Sequence, residues 1–130
     1  MKTMFRFATL LVVLAVSASA APGQTAATVR VMREKLTHSQ KILEAILTSD
    51  YAALERHSAD LAHLTESDGW AVLKGPEYVR QSAAFVRAAG DLVEAAKRRD
   101  LDAAALDYVS LTLKCFECHR YVKNSRIAVR

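Results

Sequence analysis

Two cysteines and a histidine concentrate the chemistry of this chain in one short stretch, Cys115-Phe116-Glu117-Cys118-His119. Thiols three apart, with an imidazole directly after the second, make the pattern of covalent c-type haem attachment. The thiols can add to the two vinyl groups of a porphyrin, and the histidine is then held under the iron as its proximal ligand. On a helix, positions three and four apart are neighbours, so all three side chains would project from one side. A zinc site would need a fourth ligand and usually a second cysteine pair, and the chain has only 2 cysteines. A thioredoxin-like pair wants a strand–helix setting. A plain disulfide or thiol pair remains open, although a bond within CxxC closes a tiny loop and stabilises little.

The start of the chain supplies a compartment. Lys2 and Arg6 form a positive segment, residues 10–16 a short apolar core, and Ala18-Ser19-Ala20 a small-residue cleavage site. Together they read as an export signal over residues 1–20, cut before Ala21. The apolar run is shorter than the roughly 20 residues a membrane span needs, so no anchor is expected after cleavage. Export to an oxidising, periplasmic space would oxidise two idle thiols, whereas a covalent cofactor uses both. Residues 21–130 then suffice for one small domain. The formal charge of +4 falls to about +2 without Lys2 and Arg6. Its basic residues are scattered, which argues against nucleic acid as a partner. No Ser-His-Asp set, phosphate loop or catalytic carboxylate pair can be picked out, so no enzyme is expected.

The elements that must position the motif all read as helices. The first spans residues 26–48, with Val29, Met32, Leu36, Ser39, Leu43 and Ile46 spaced to line its inward face. Ser49-Asp50 offers an N-cap. A second helix runs from 51 to about 66 on Leu54, Leu61 and Leu64. Residues 67–76 form the main loop, and Pro76 suits the first position of a third helix. That helix runs to about 97, with Tyr78, Phe85, Leu92 and Ala96 inward. Gly90 inside it suggests close approach of another helix or a flat ligand. Asp100 caps the last helix, 101 to about 123, whose inward stripe is Leu101, Ala104, Tyr108, Leu111, Cys115, Cys118 and Val122. Short connections favour antiparallel neighbours, so the expected fold is all-α, an up-down-up-down four-helix bundle. Its alanine richness leaves room for something bulky in the core.

An exported four-helix chain with a single CxxCH in its last helix resembles the class II cytochromes c, the group of cytochrome c′ and the c-556 type. The layout matches over the whole mature chain; the residue match is specific at Cys115, Cys118 and His119. The resemblance implies one covalent haem c, with His119 as fifth iron ligand. Lys123, four after the histidine, stands where the family usually carries Arg or Lys, and its charge would tune the iron. The sixth position would decide function. In an antiparallel bundle the end of the fourth helix lies near the start of the first, where Met32 and Leu36 are the inward candidates. Met32 on the iron gives an electron carrier, and it is the one methionine left after signal cleavage. Leu36 over a vacant position gives a five-coordinate haem that binds nitric oxide or carbon monoxide. The family's Arg-Gln pair on the first helix has no match here; Arg33-Glu34 and Lys35-Leu36 stand in that region. Family members often pair through their first helices, so a homodimer is a further expectation, and the redox partner is not indicated.

Other residues read more plainly. His38 lies beside the first inward stripe, as a surface histidine or a distal ligand in another register. His57 and His63, six apart, do not share a helix face for a metal and read as exposed. Trp70 and Tyr78 read as packing for one end of the bundle. Arg30 and Arg33 could reach haem propionates, but read first as a solvated face.

Overall fold

A computed structural model describes residues 25–128, and their side chains as far as residue 125. The expected export signal lies outside these residues. Four helices fill the described chain: α1 (Ala26–Thr48), α2 (Tyr51–His63), α3 (Pro76–Arg98) and α4 (Leu101–Ala128). A 3-10 turn, Leu64–Glu66, tightens the end of α2, so the second expected helix is there with its last turn wound differently. There is no strand among the described residues. No described helix is long and apolar enough to cross a membrane.

The boundaries follow from local chemistry. Thr25 caps α1 through its hydroxyl, which accepts from Thr28 N at 3.2 Å. Asp50 accepts from Ala53 N at 2.9 Å and Asp100 from Ala103 N at 3.0 Å, so a carboxylate satisfies a free N–H at the start of α2 and of α4. Pro76 opens α3, where its missing N–H does no harm. Ser49 and Arg99 end α1 and α3 in the left-handed region, with φ of 57° and 56°.

The helices form a four-helix bundle around Val31, Ile42, Leu54, Leu61, Phe85, Leu92 and Leu111, all buried. The expected stripes of α2, α3 and α4 are the ones that face inward: Leu54, Leu61 and Leu64; Tyr78, Phe85, Leu92 and Ala96; Ala104 and Leu111, with Tyr108, Cys115, Cys118 and Val122 half-buried against them. Trp70 and Tyr78 do pack a bundle end. The Trp70 ring lies 5.2 Å from that of Phe85, its Nε1 donates to Ser82 Oγ at 2.9 Å, and the Tyr78 hydroxyl donates to the Trp70 carbonyl.

The expected stripe of α1 is corrected by one step around the helix. Thr28, Val31, Lys35, Ile42 and Ala45 are buried, while Val29, Leu36 and Leu43 are exposed, Leu36 to 59%. The cause is unequal packing. Successive helices pack extensively, but α1 and α4 touch only sparsely. The buried arc of α1 therefore turns toward α2, and its leucines are left beside the α1–α4 seam. No other helix comes close to Gly90: a Cβ there would meet nothing within 4 Å. Close approach occurs instead at Gly69, where a Cβ would fall 2.4 Å from the Ala27 carbonyl oxygen and 2.7 Å from Thr28 N.

Candidate functional site: a thiol pair facing a buried lysine

Cys115 and Cys118 are free thiols, each half-buried on the inward side of α4. The i, i+3 spacing puts both on one side, and His119 follows at the rim, i+4 from Cys115. His119 is exposed over much of its surface, yet the protein packed around it lowers its pKa. The first cause is burial and the second the positive charge of Lys35. Burial pushes the Cys118 thiol up; Lys35 opposes this, and Cys115 adds to it. Cys118 is thus held as a neutral thiol, and His119 as a neutral imidazole with a lone pair to give.

Lys35 is the residue sequence reasoning missed. It is only 7% exposed, on the buried arc of α1. Its ammonium lies 4.2 Å from the centre of the Phe85 ring and 5.1 Å from that of Trp70. Among the described residues no carboxylate comes within ion-pair distance of it. Its stem runs along the core while the ammonium rests on the two ring faces, and its positive charge is felt at Cys118 and His119. By its type and spacing it reads as part of the polar side of α1, and the turned register of that helix is what carries it inward.

The other expected site residues fall around this centre. Met32 is half-buried and packs against the core. Leu36 stands outward, on the flank of the α1–α4 seam. Across that seam, Ser39 Oγ and the Tyr108 hydroxyl share a hydrogen bond of 3.3 Å. Lys123 is exposed, one turn beyond His119. Arg30 is 3.9 Å from Glu34, on the solvated face.

The donor set suits a covalent porphyrin. Two free thiols, an imidazole one helical step away and a buried cation without an anion match the vinyl, iron and carboxylate groups of a haem in kind.

A second group of donors lies between α1 and α2. His38 Nδ1 is 3.1 Å from His57 Nδ1, with the rings 5.3 Å apart and tilted by 52°. The expectation that both are exposed surface histidines is therefore corrected: they are half-buried and face each other. Burial lowers the pKa of His57, with Arg56, His38 and Lys41 acting the same way and Asp60 against. Only His63 fits the expected exposure, 3.5 Å from Glu66.

Comparison of the chain with known protein families, with curated proteins and with solved structures finds no match.

Proposed function

We propose that this chain is an exported, periplasmic monohaem c-type cytochrome that carries electrons, built as an antiparallel up-down-up-down bundle of the class II kind. The observation that carries the reading is the placement of Cys115 and Cys118: half-buried and inward on one side of α4, with His119 directly after the second. Short connections and extensive packing between successive helices support the topology. Thioether links from both thiols would hold the haem, and His119 would ligate the iron. When bound, the group supplies a metal centre that gains and loses one electron.

The chain's own residues do the rest. The helix fixes the imidazole relative to the two thiols. Lys35 places a positive charge next to that imidazole and stands ready for a carboxylate of the cofactor. Lys123 adds charge one turn further on. The half-burial of Met32 and the outward stance of Leu36 favour Met32 as the sixth ligand over a five-coordinate, gas-binding site. The exposed leucines of α1 give a second copy an apolar surface to pair with.

Expression in a host that matures c-type cytochromes, followed by denaturing mass spectrometry and an optical spectrum, tests the reading. A haem that stays attached on denaturation and is lost in Cys115→Ser/Cys118→Ser is expected. A chain that leaves this host without haem, its cysteines joined or free, overturns it. Met32→Ala then separates the two cytochrome readings. Conversion to a high-spin spectrum that shifts under carbon monoxide is expected. A spectrum that Met32→Ala leaves unchanged removes Met32 as ligand.

A further inference from the structure

We propose a second metal site, unconnected with the haem reading, formed between α1 and α2 by His38, His57 and Asp60. The three offer one ligand atom each, and these atoms all lie within 4.8 Å of one another. His57 and Asp60 stand three apart on one face of α2, and His38 meets them from α1. His38 Nδ1 is 3.1 Å from His57 Nδ1 and 3.9 Å from Asp60 Oδ2. Two imidazole nitrogens bound tetrahedrally to one ion at about 2.1 Å stand about 3.4 Å apart. In the metal-free chain the pair shares a hydrogen bond of 3.1 Å, so a shift of a few tenths of an ångström and a small turn of the Asp60 side chain complete the set.

The donors decide the metal. Two imidazoles and one carboxylate, with no thiol, suit a late first-row divalent ion such as zinc or copper rather than calcium or magnesium, which want oxygen shells. Three protein ligands leave at least one coordination position open, and the half-buried setting leaves it to solvent. Lys41 and Arg56 are the neighbouring cations that oppose a metal; Lys41 is paired with Glu44 at 2.7 Å, which offsets part of its charge. The ligands come from two helices, so an ion there ties α1 to α2 and stabilises the folded chain by mass action.

Calorimetric titration of the full chain with zinc, with the haem content it has as isolated, tests the site. His38→Ala and His57→Ala are each expected to lower the stoichiometry by one equivalent, and Asp60→Asn to weaken binding at that site. The same losses are expected in a Cys115→Ser/Cys118→Ser background, which removes the thiols as competing ligands. A chain with both cysteines replaced that takes up no zinc overturns the proposal, as does uptake that neither histidine substitution changes. A second measurement needs no histidine variant. In that background, zinc is expected to shift the ring resonances of His38 and His57; shifts confined to His63 or His119 overturn the site.

Discussion

Replacing Lys35 by methionine should change stability in opposite directions depending on whether the cofactor is attached. In the chain with Cys115→Ser/Cys118→Ser, which cannot attach haem, the side chain is buried and no carboxylate among the described residues lies within ion-pair distance of its ammonium. Holding an unpaired polar group partly out of water costs about 1–3 kcal/mol. The Phe85 and Trp70 ring faces, 4.2 and 5.1 Å away, return about 2 kcal/mol. Methionine keeps an unbranched side chain of similar bulk in the same place. The balance is a gain of at most about 1 kcal/mol. For a domain of this size each kcal/mol raises Tm by about 4–8 °C. Thermal unfolding followed by circular dichroism reads this directly. If haem is attached as proposed and Lys35 meets one of its carboxylates, the substitution removes that partner and Tm should fall. The iron should also become easier to oxidise, with a lower midpoint potential, because a positive charge near it is gone. A lower Tm for Lys35→Met in the haem-free chain would refute the reasoning: the ring contacts would then outweigh desolvation, and the lysine would not be a charge awaiting its partner. An equal rise in both chains would remove Lys35 from the cofactor's surroundings.

Two glycine substitutions should separate cleanly in the same assay. Gly69→Ala drives a methyl group into the Ala27–Thr28 backbone and should lose about 1–3 kcal/mol, while Gly90→Ala, in the interior of α3 with nothing within 4 Å, should gain about 0.5–1 kcal/mol. Ser58 is fully buried and its hydroxyl has no hydrogen-bond partner among the described residues; Ser58→Ala should raise the urea midpoint by relieving an unmet polar group of about 1–3 kcal/mol. The pKa of Asp107 is raised, first by burial and then by Asp91 and Asp100, with Arg98 opposing. Its folded form therefore holds its proton more tightly than the unfolded chain does, and its contribution to stability falls as pH rises through the window between the two values. Asp107→Asn should raise Tm at neutral pH, and that gain should fade once acid protonates the carboxyl in both states.

What could be read from the sequence was what local chemistry decides. Asp50, Asp100 and Pro76 announce helix starts because each satisfies or omits a backbone N–H. The stripes of α3 and α4 are legible because Tyr78, Phe85 and Leu92, and Ala104 and Leu111, recur with the helical period on the faces that these two helices press against each other. The register of α1 was not legible, because its apolar residues outnumber what its neighbours cover. Val29, Leu36 and Leu43 make as regular a stripe as the buried one, and only the sparse contact with α4 selects between them. Lys35 was hidden by its own chemistry, since nothing in a pattern of hydrophobicity marks a lysine whose ammonium rests on two aromatic rings. His38 and His57 could have been paired by folding the chain back at Ser49-Asp50, which brings residues 38–42 of α1 opposite residues 57–61 of α2, within a helical turn of each other. Treating each helix alone kept them apart.

The sparse contact between α1 and α4 also bears on the order in which the molecule comes apart. The remaining helices pack in succession, α2 on α3 and α3 on α4, whereas α1 is secured chiefly along its edge with α2. A segment held along one edge opens at a lower free energy than the whole domain. Amide hydrogens of α1 should therefore exchange before those of α3. The same excursion lifts Lys35 away and uncovers the half-buried Cys118 while α3 and α4 stay packed on each other. Chemistry at the thiols then needs only one helix to lift, and an ion shared by His38 and His57 would act as the latch that decides how often it does.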